Sequence, residues 1–171
     1  MENNNGSLLK ATMNYGLITG LIVIVYSLLL YIIGLHLNQY FGYLTIVIMA
    51  ACIFIFTKQY RDKQNEGFIS FGKAFQLGIL IGVFAAILLS FFSYIEVTFI
   101  DPTIVEKQLD IQREKMLAKG ISEEQVEMGI QMAKKMMTPA MLFIVSILSF
   151  TFWAAIISLI TSAILKKNSS N

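Results

Sequence analysis

The chain has 171 residues, of which 56% are hydrophobic and only 14% charged, with a mean hydropathy of +0.68. A soluble domain carries about a quarter charged residues, so this composition excludes an ordinary water-soluble fold. The formal net charge of +2 is too small to point to nucleic acid, and the single cysteine, Cys52, excludes a disulfide within the chain.

Residues 2–6 are polar and read as a short tail, as do residues 168–171. Residues 11–33 are uncharged and apolar, which meets the requirement of about 20 residues for a bilayer-spanning helix. Lys10 precedes the run as in a secretory signal. The run is nevertheless longer than the about 7–15 apolar residues of such signals, and no small-residue cleavage pattern follows Ile33 and Gly34. It reads as a retained span. Residues 40–56 form a second uncharged run, near the lower limit of about 17 residues. Cys52 lies inside it as a small apolar side chain.

The sequence Gly67-Phe-Ile-Ser-Phe-Gly-Lys73-Ala74 approaches the phosphate-loop pattern. That pattern needs a hydroxyl after the lysine to hold magnesium, and Ala74 has none. Phe68 and Phe71 instead suit a lipid boundary, with Lys73 reaching to the head groups. A third span follows over residues 72–96. Along its length Ser70, Ala74, Gly78, Gly82, Ala86 and Ser90 recur every fourth residue, on one helical face. Small residues let helices approach closely in lipid, and Gly78 and Gly82 form a GxxxG pair. The first span carries another, Gly16 and Gly20, but the flanks do not match and no internal repeat is evident.

Glu96 is the one carboxylate near a span end. It reads as an interfacial anchor bonded to Tyr94, with a proton or cation site involving Tyr94, His36 and Tyr31 as the alternative. Asp101-Pro102 reads as an N-cap and first helical residue. Val105, Leu109, Gln112 and Met116 then fall at near-heptad spacing, and Gly120 suits a C-cap. Ser122 to Gln125 reads as a capping box, followed by an apolar stripe of Val126, Ile130, Ala133 and Met137. Residues 101–138 are therefore expected as a helical hairpin packed on itself or on the membrane surface. Its methionines suit adaptable contacts, whereas helical spacing alone does not build a copper site. Residues 139–165 form the fourth span, whose Ser146, Ser149, Thr151, Ser158, Thr161 and Ser162 give it a polar side. Such hydroxyls bond to their own backbone or to a neighbouring helix, or line a water path.

The expected fold is all-α: a single membrane domain, an integral four-helix bundle with an extracytoplasmic hairpin between spans three and four. With four spans both termini share a side with the connection at residues 57–73. That side carries seven basic residues against three acids, and the other six against eight. Basic residues clustered near span ends around Arg61 place this side in the cytoplasm. No nucleophile–base arrangement, metal spacing or cofactor motif is present, so no catalytic, cofactor-binding or metal residues are assigned.

Tyr60-Arg-Asp-Lys63, the stretch from Gly67 to Phe75, Tyr94-Ile95 and Ile100-Asp101-Pro102 together resemble a bacterial family of small four-span proteins, domain of unknown function 4199. The resemblance runs from about Leu8 to Leu165 and implies an inner-membrane location without an assigned activity. The expectation is a non-enzymatic inner-membrane protein in contact with lipid, acting through helix packing as a homo-oligomer or with another membrane protein. The alternative is a small transporter or channel component with a polar path near Glu96 and the fourth-span hydroxyls. A third reading is a sensor or assembly factor whose hairpin docks a partner.

Overall fold

The computed structural model describes residues 2–167, with side chains from Leu8 onward. The order is α1 (Glu2–Ile32), α2 (Gln39–Gln64), α3 (Phe71–Ile95), a π turn (Glu96–Ile100), α4 (Ile104–Ala118), α5 (Glu123–Met136) and α6 (Pro139–Leu165). The protein is all-α: four long apolar helices, α1, α2, α3 and α6, with the shorter pair α4 and α5 between the last two. The four long helices meet the length and apolarity of membrane spans, at 25 to 30 residues each. Residues 2–6, expected as a tail, belong to α1, and the tail expected at 168–171 lies outside the described residues. The helix that carries the second apolar run is longer than the run itself, because α2 continues past residue 56 through Lys58, Arg61 and Lys63. These are good helix formers, so helix outlasts apolarity there.

The chain divides into two compact units, residues 1–89 with 147–171, and residues 90–146. In the first, α3 is the most enclosed span, with 44% of its apolar window buried against 11–28% for the others. Glycine explains how it is approached so closely. A methyl group on Gly16 of α1 would overlap the Phe84 Cβ and stand 2.7 Å from the Ile81 carbonyl oxygen, and one on Gly20 would stand 2.9 Å from Leu88. On another face, a Cβ on Gly78 would lie 2.5 Å from the Ser158 hydroxyl of α6, and one on Gly82 would overlap the Ala154 Cβ. Ile53 of α2 also comes within 4 Å of both of these positions. Around these contacts Met49, Ile53, Tyr60, Leu77, Ile81 and Ala154 form the apolar core.

The turns follow from local chemistry. Asn38 caps α2 by accepting from the Tyr40 N–H at 3.0 Å, and the Tyr26 hydroxyl donates to the Phe41 carbonyl at 3.0 Å, tying α1 to the start of α2. After α2, Glu66 and Gly67 both adopt positive φ, at 53° and 80°. The chain then pairs Ile69 with Lys167 through two backbone hydrogen bonds of 2.9 Å. Arg61 donates to the last-turn carbonyl of Leu165 at 3.3 Å, where the negative end of the α6 dipole favours a cation.

The second unit contains the helical pair. Leu109 of α4 packs with Val126 and Ile130 of α5, flanked by Val105, Met116, Ala133 and Met137. This is the stripe expected from spacing, except for Gln112, which is exposed. The turn closes as a Schellman motif: Ile121 N–H donates to Met116 O at 3.3 Å and Gly120 N–H to Leu117 O at 2.9 Å. Gly120 supplies the required positive φ of 77°. Ser122 holds the N-cap position of α5 but makes no side-chain capping bond, so the expected capping box is not closed.

Candidate functional site

Two regions carry the residues singled out by sequence. The first is the small-residue stripe. Ser70 is exposed and precedes α3, where its hydroxyl accepts from the Lys73 N–H at 3.3 Å. Ala74, Gly78, Gly82, Ala86 and Ser90 are all buried. At Gly78 and Gly82 the groove is filled by α6, through Ser158 and Ala154 of the same chain. The hydroxyls of α6 do not form a uniform polar side: Ser158, Thr161 and Ser162 are buried and Ser149 is exposed. Ser162 donates to the Ser158 carbonyl at 2.6 Å, the back-bonding common within spans.

The second region lies where α3 ends. Glu96 is half-buried and opens the π turn, its carbonyl accepting from the Asp101 N–H at 2.8 Å. Tyr94 is exposed. Among the described residues no hydrogen bond joins Glu96 to Tyr94. His36 belongs to the other compact unit, in the α1–α2 connection, where its ring lies 4.9 Å from that of Tyr31. The candidate polar set is thus divided between the two units. Five residues beyond Glu96, Asp101 is buried and collects its own partners. Thr103 donates its N–H at 3.1 Å and its hydroxyl at 2.6 Å to Oδ1, and Lys107 donates to Oδ2 at 2.8 Å. The Lys107 and Thr103 bonds hold the carboxyl below its usual range. Asp101 therefore turns the chain into α4 as a turn residue, and the helix starts at Ile104 rather than at Pro102. Lys107, six residues on, was not recognisable as its partner from spacing.

The helical pair presents two different surfaces. Between α4 and α5, Arg113 bonds Glu127 at 2.8 Å and Lys134 approaches Glu106 at 3.5 Å. On another face of α5, Met128, Met132 and Met136 are 61–67% exposed at successive turns. Met116 and Met137, the other methionines of the hairpin, pack against its core as their place on the apolar stripes led us to expect. Among the described residues no group of three His, Cys, Asp or Glu is placed to hold a metal ion.

No curated protein and no solved structure matches the chain. Residues 14–167 match the family described as Protein of unknown function (DUF4199). This covers α1 from Asn14 onward and the whole of α2, α3, the helical pair and α6, and the chain belongs to that family.

Proposed function

We propose that this is a non-enzymatic docking protein of the bacterial inner membrane, with both termini in the cytoplasm and the α4–α5 hairpin outside it. The observation that carries the reading is the exposed Met128, Met132 and Met136 row on a hairpin whose own core is already filled. Unbranched thioethers suit apolar surfaces of varied shape, and helix-in-groove recognition uses anchors one turn apart. The partner is a membrane protein with an apolar extracytoplasmic segment. The hairpin charges at Arg113, Glu127, Glu106 and Lys134 are engaged with each other, while Glu124 and Lys135 stand exposed beside the methionine row as a charged rim. The small-residue groove does not serve as the docking surface, because α6 occupies it at Gly78 and Gly82.

The test is photocrosslinking in native membranes from positions 128 and 132, with Glu114 on the exposed side of α4 as the control. The expected result is one discrete adduct from the methionine positions, absent from 114 and abolished by Met136→Glu. After identification, the purified partner must bind the wild-type chain and not the variant. Adducts with lipid alone would leave the hairpin a solvated connector and end the proposal.

A second reading, a proton or cation path, is favoured by Glu96, since a half-buried carboxylate beside a π turn is a common functional arrangement. It requires flux in liposomes that falls in Glu96→Gln. Equal flux in the two proteins would remove it.

A further inference from the structure

Within the first unit, α2 and α6 run side by side in the same direction, with residues 42–49 against 149–153 and residues 47–55 against 157–164. The seam opens into an apolar groove of about 460 Å³, walled by Val47, Ala51 and Ile55 on α2 and Ile157, Ile160 and Ile164 on α6. Eight residues of helix separate Val47 from Ile55, a length of about 12 Å. One leaflet of a hydrocarbon core of about 30 Å is only slightly deeper.

The groove has a polar mouth at one end. Phe54 and Ile55 also line an adjoining concavity of about 380 Å³ that continues to Lys58, Gln59, Asp62 and Lys63. Asp62 is engaged by Arg61 at 2.6 Å. Among the described residues neither Lys58 nor Lys63 makes an ion pair, and both are exposed. An apolar slot one leaflet deep that ends at two lysines has the polarity of an anionic lipid. We propose that it binds one anionic glycerophospholipid, an acyl chain between α2 and α6 and the phosphate on Lys58 and Lys63.

The test is native mass spectrometry of the full chain released from detergent, after incubation with equimolar dioleoyl phosphatidylglycerol and dioleoyl phosphatidylcholine. Each lysine near an anionic head group contributes about fivefold, so a preference for phosphatidylglycerol on the order of thirtyfold is expected. Lys58→Gln with Lys63→Gln should bring the preference to near parity while a lipid is still bound. Ala51→Phe fills the groove from an exposed position and should remove lipid of both kinds, with an unchanged thermal transition. Equal retention of the two lipids by the wild type would overturn the proposal. So would lipid binding unaffected by Ala51→Phe, or a dimer that this substitution dissociates. A stabilising shift with inorganic phosphate as large as with phosphatidylglycerol would show a phosphate site without a chain in the groove, and would equally overturn it.

Discussion

Gly82→Ala is the smallest change that tests how the spans are held together. The added methyl would overlap the Ala154 Cβ, so α3 and α6 must separate or shift. Overpacking of a close interface costs about 1–3 kcal/mol. Alanine in place of glycine returns roughly 0.5–1 kcal/mol of helix stability. The direct Cβ–Cβ overlap places the overpacking at the upper end of its range, so the net expectation is a loss of about 2 kcal/mol. Ala154→Gly removes the opposing methyl, so the double variant merely exchanges which helix carries it. Its stability should lie within about 1 kcal/mol of wild type, a coupling within the 0.5–3 kcal/mol of residues in contact. The assay is equilibrium unfolding in mixed micelles, with oligomeric state followed by light scattering. Gly72→Ala, where a Cβ meets nothing within 4 Å, is the control and should be neutral or slightly stabilising. Wild-type stability in Gly82→Ala, or no rescue by Ala154→Gly, would refute this packing.

Gly16→Ala should destabilise without a rescuing partner, because one of the atoms it meets is the Ile81 backbone carbonyl, which cannot be trimmed; the same micelle titration measures it. Leu109→Ala empties the centre of the hairpin core and should cost about 2–5 kcal/mol of local stability, read as faster amide exchange confined to α4 and α5. Arg113→Ala breaks an exposed ion pair with Glu127 and should cost under about 1 kcal/mol, with the difference vanishing in high salt. The Asp101 carboxyl is held below its usual range by Lys107 and Thr103. Its contribution is therefore present above the ordinary carboxylate pKa of about 3.9 and fades as pH falls through the lower folded value. Protection of the Ile104–Lys107 turn should drop in that acid window, and Asp101→Asn should flatten the dependence.

The four spans were legible because the bilayer demands long uncharged runs, and residues 11–33 and 139–165 meet that demand with little ambiguity. The partner of the stripe was not. Small residues fall on several faces of α6, among them Ser149, Ala154, Ala155, Ser158 and Ser162, so periodicity could not select Ala154 and Ser158. The end of helix α2 was not legible for a different reason. Apolarity stops near Phe56, but hydrogen bonding does not, and lysine, glutamine and arginine extend a helix without burying it. The hairpin core could be read from Leu109, Val126 and Ile130 because a two-helix contact follows heptad spacing. Its entrance could not, since the turn depends on Asp101 meeting Lys107 across six residues. The polar set of Glu96, Tyr94 and His36 was assembled from proximity to span ends, and that carries no information on which unit each residue joins.

The central claim is that the small-residue groove is filled from within the chain. Cysteines at positions 78 and 158 test it most directly, in a Cys52→Ala background that removes the only native thiol. A Cβ at 78 would lie 2.9 Å from that of Ser158, so the two helices need separate by only about 1 Å to reach the about 3.5–4.5 Å spacing of a disulfide. After mild oxidation and proteolytic cleavage within residues 101–138, the two fragments should stay joined as one chain equivalent until reduced. Crosslinked dimers in place of that species would mean that a neighbouring copy, not α6 of the same chain, occupies the groove.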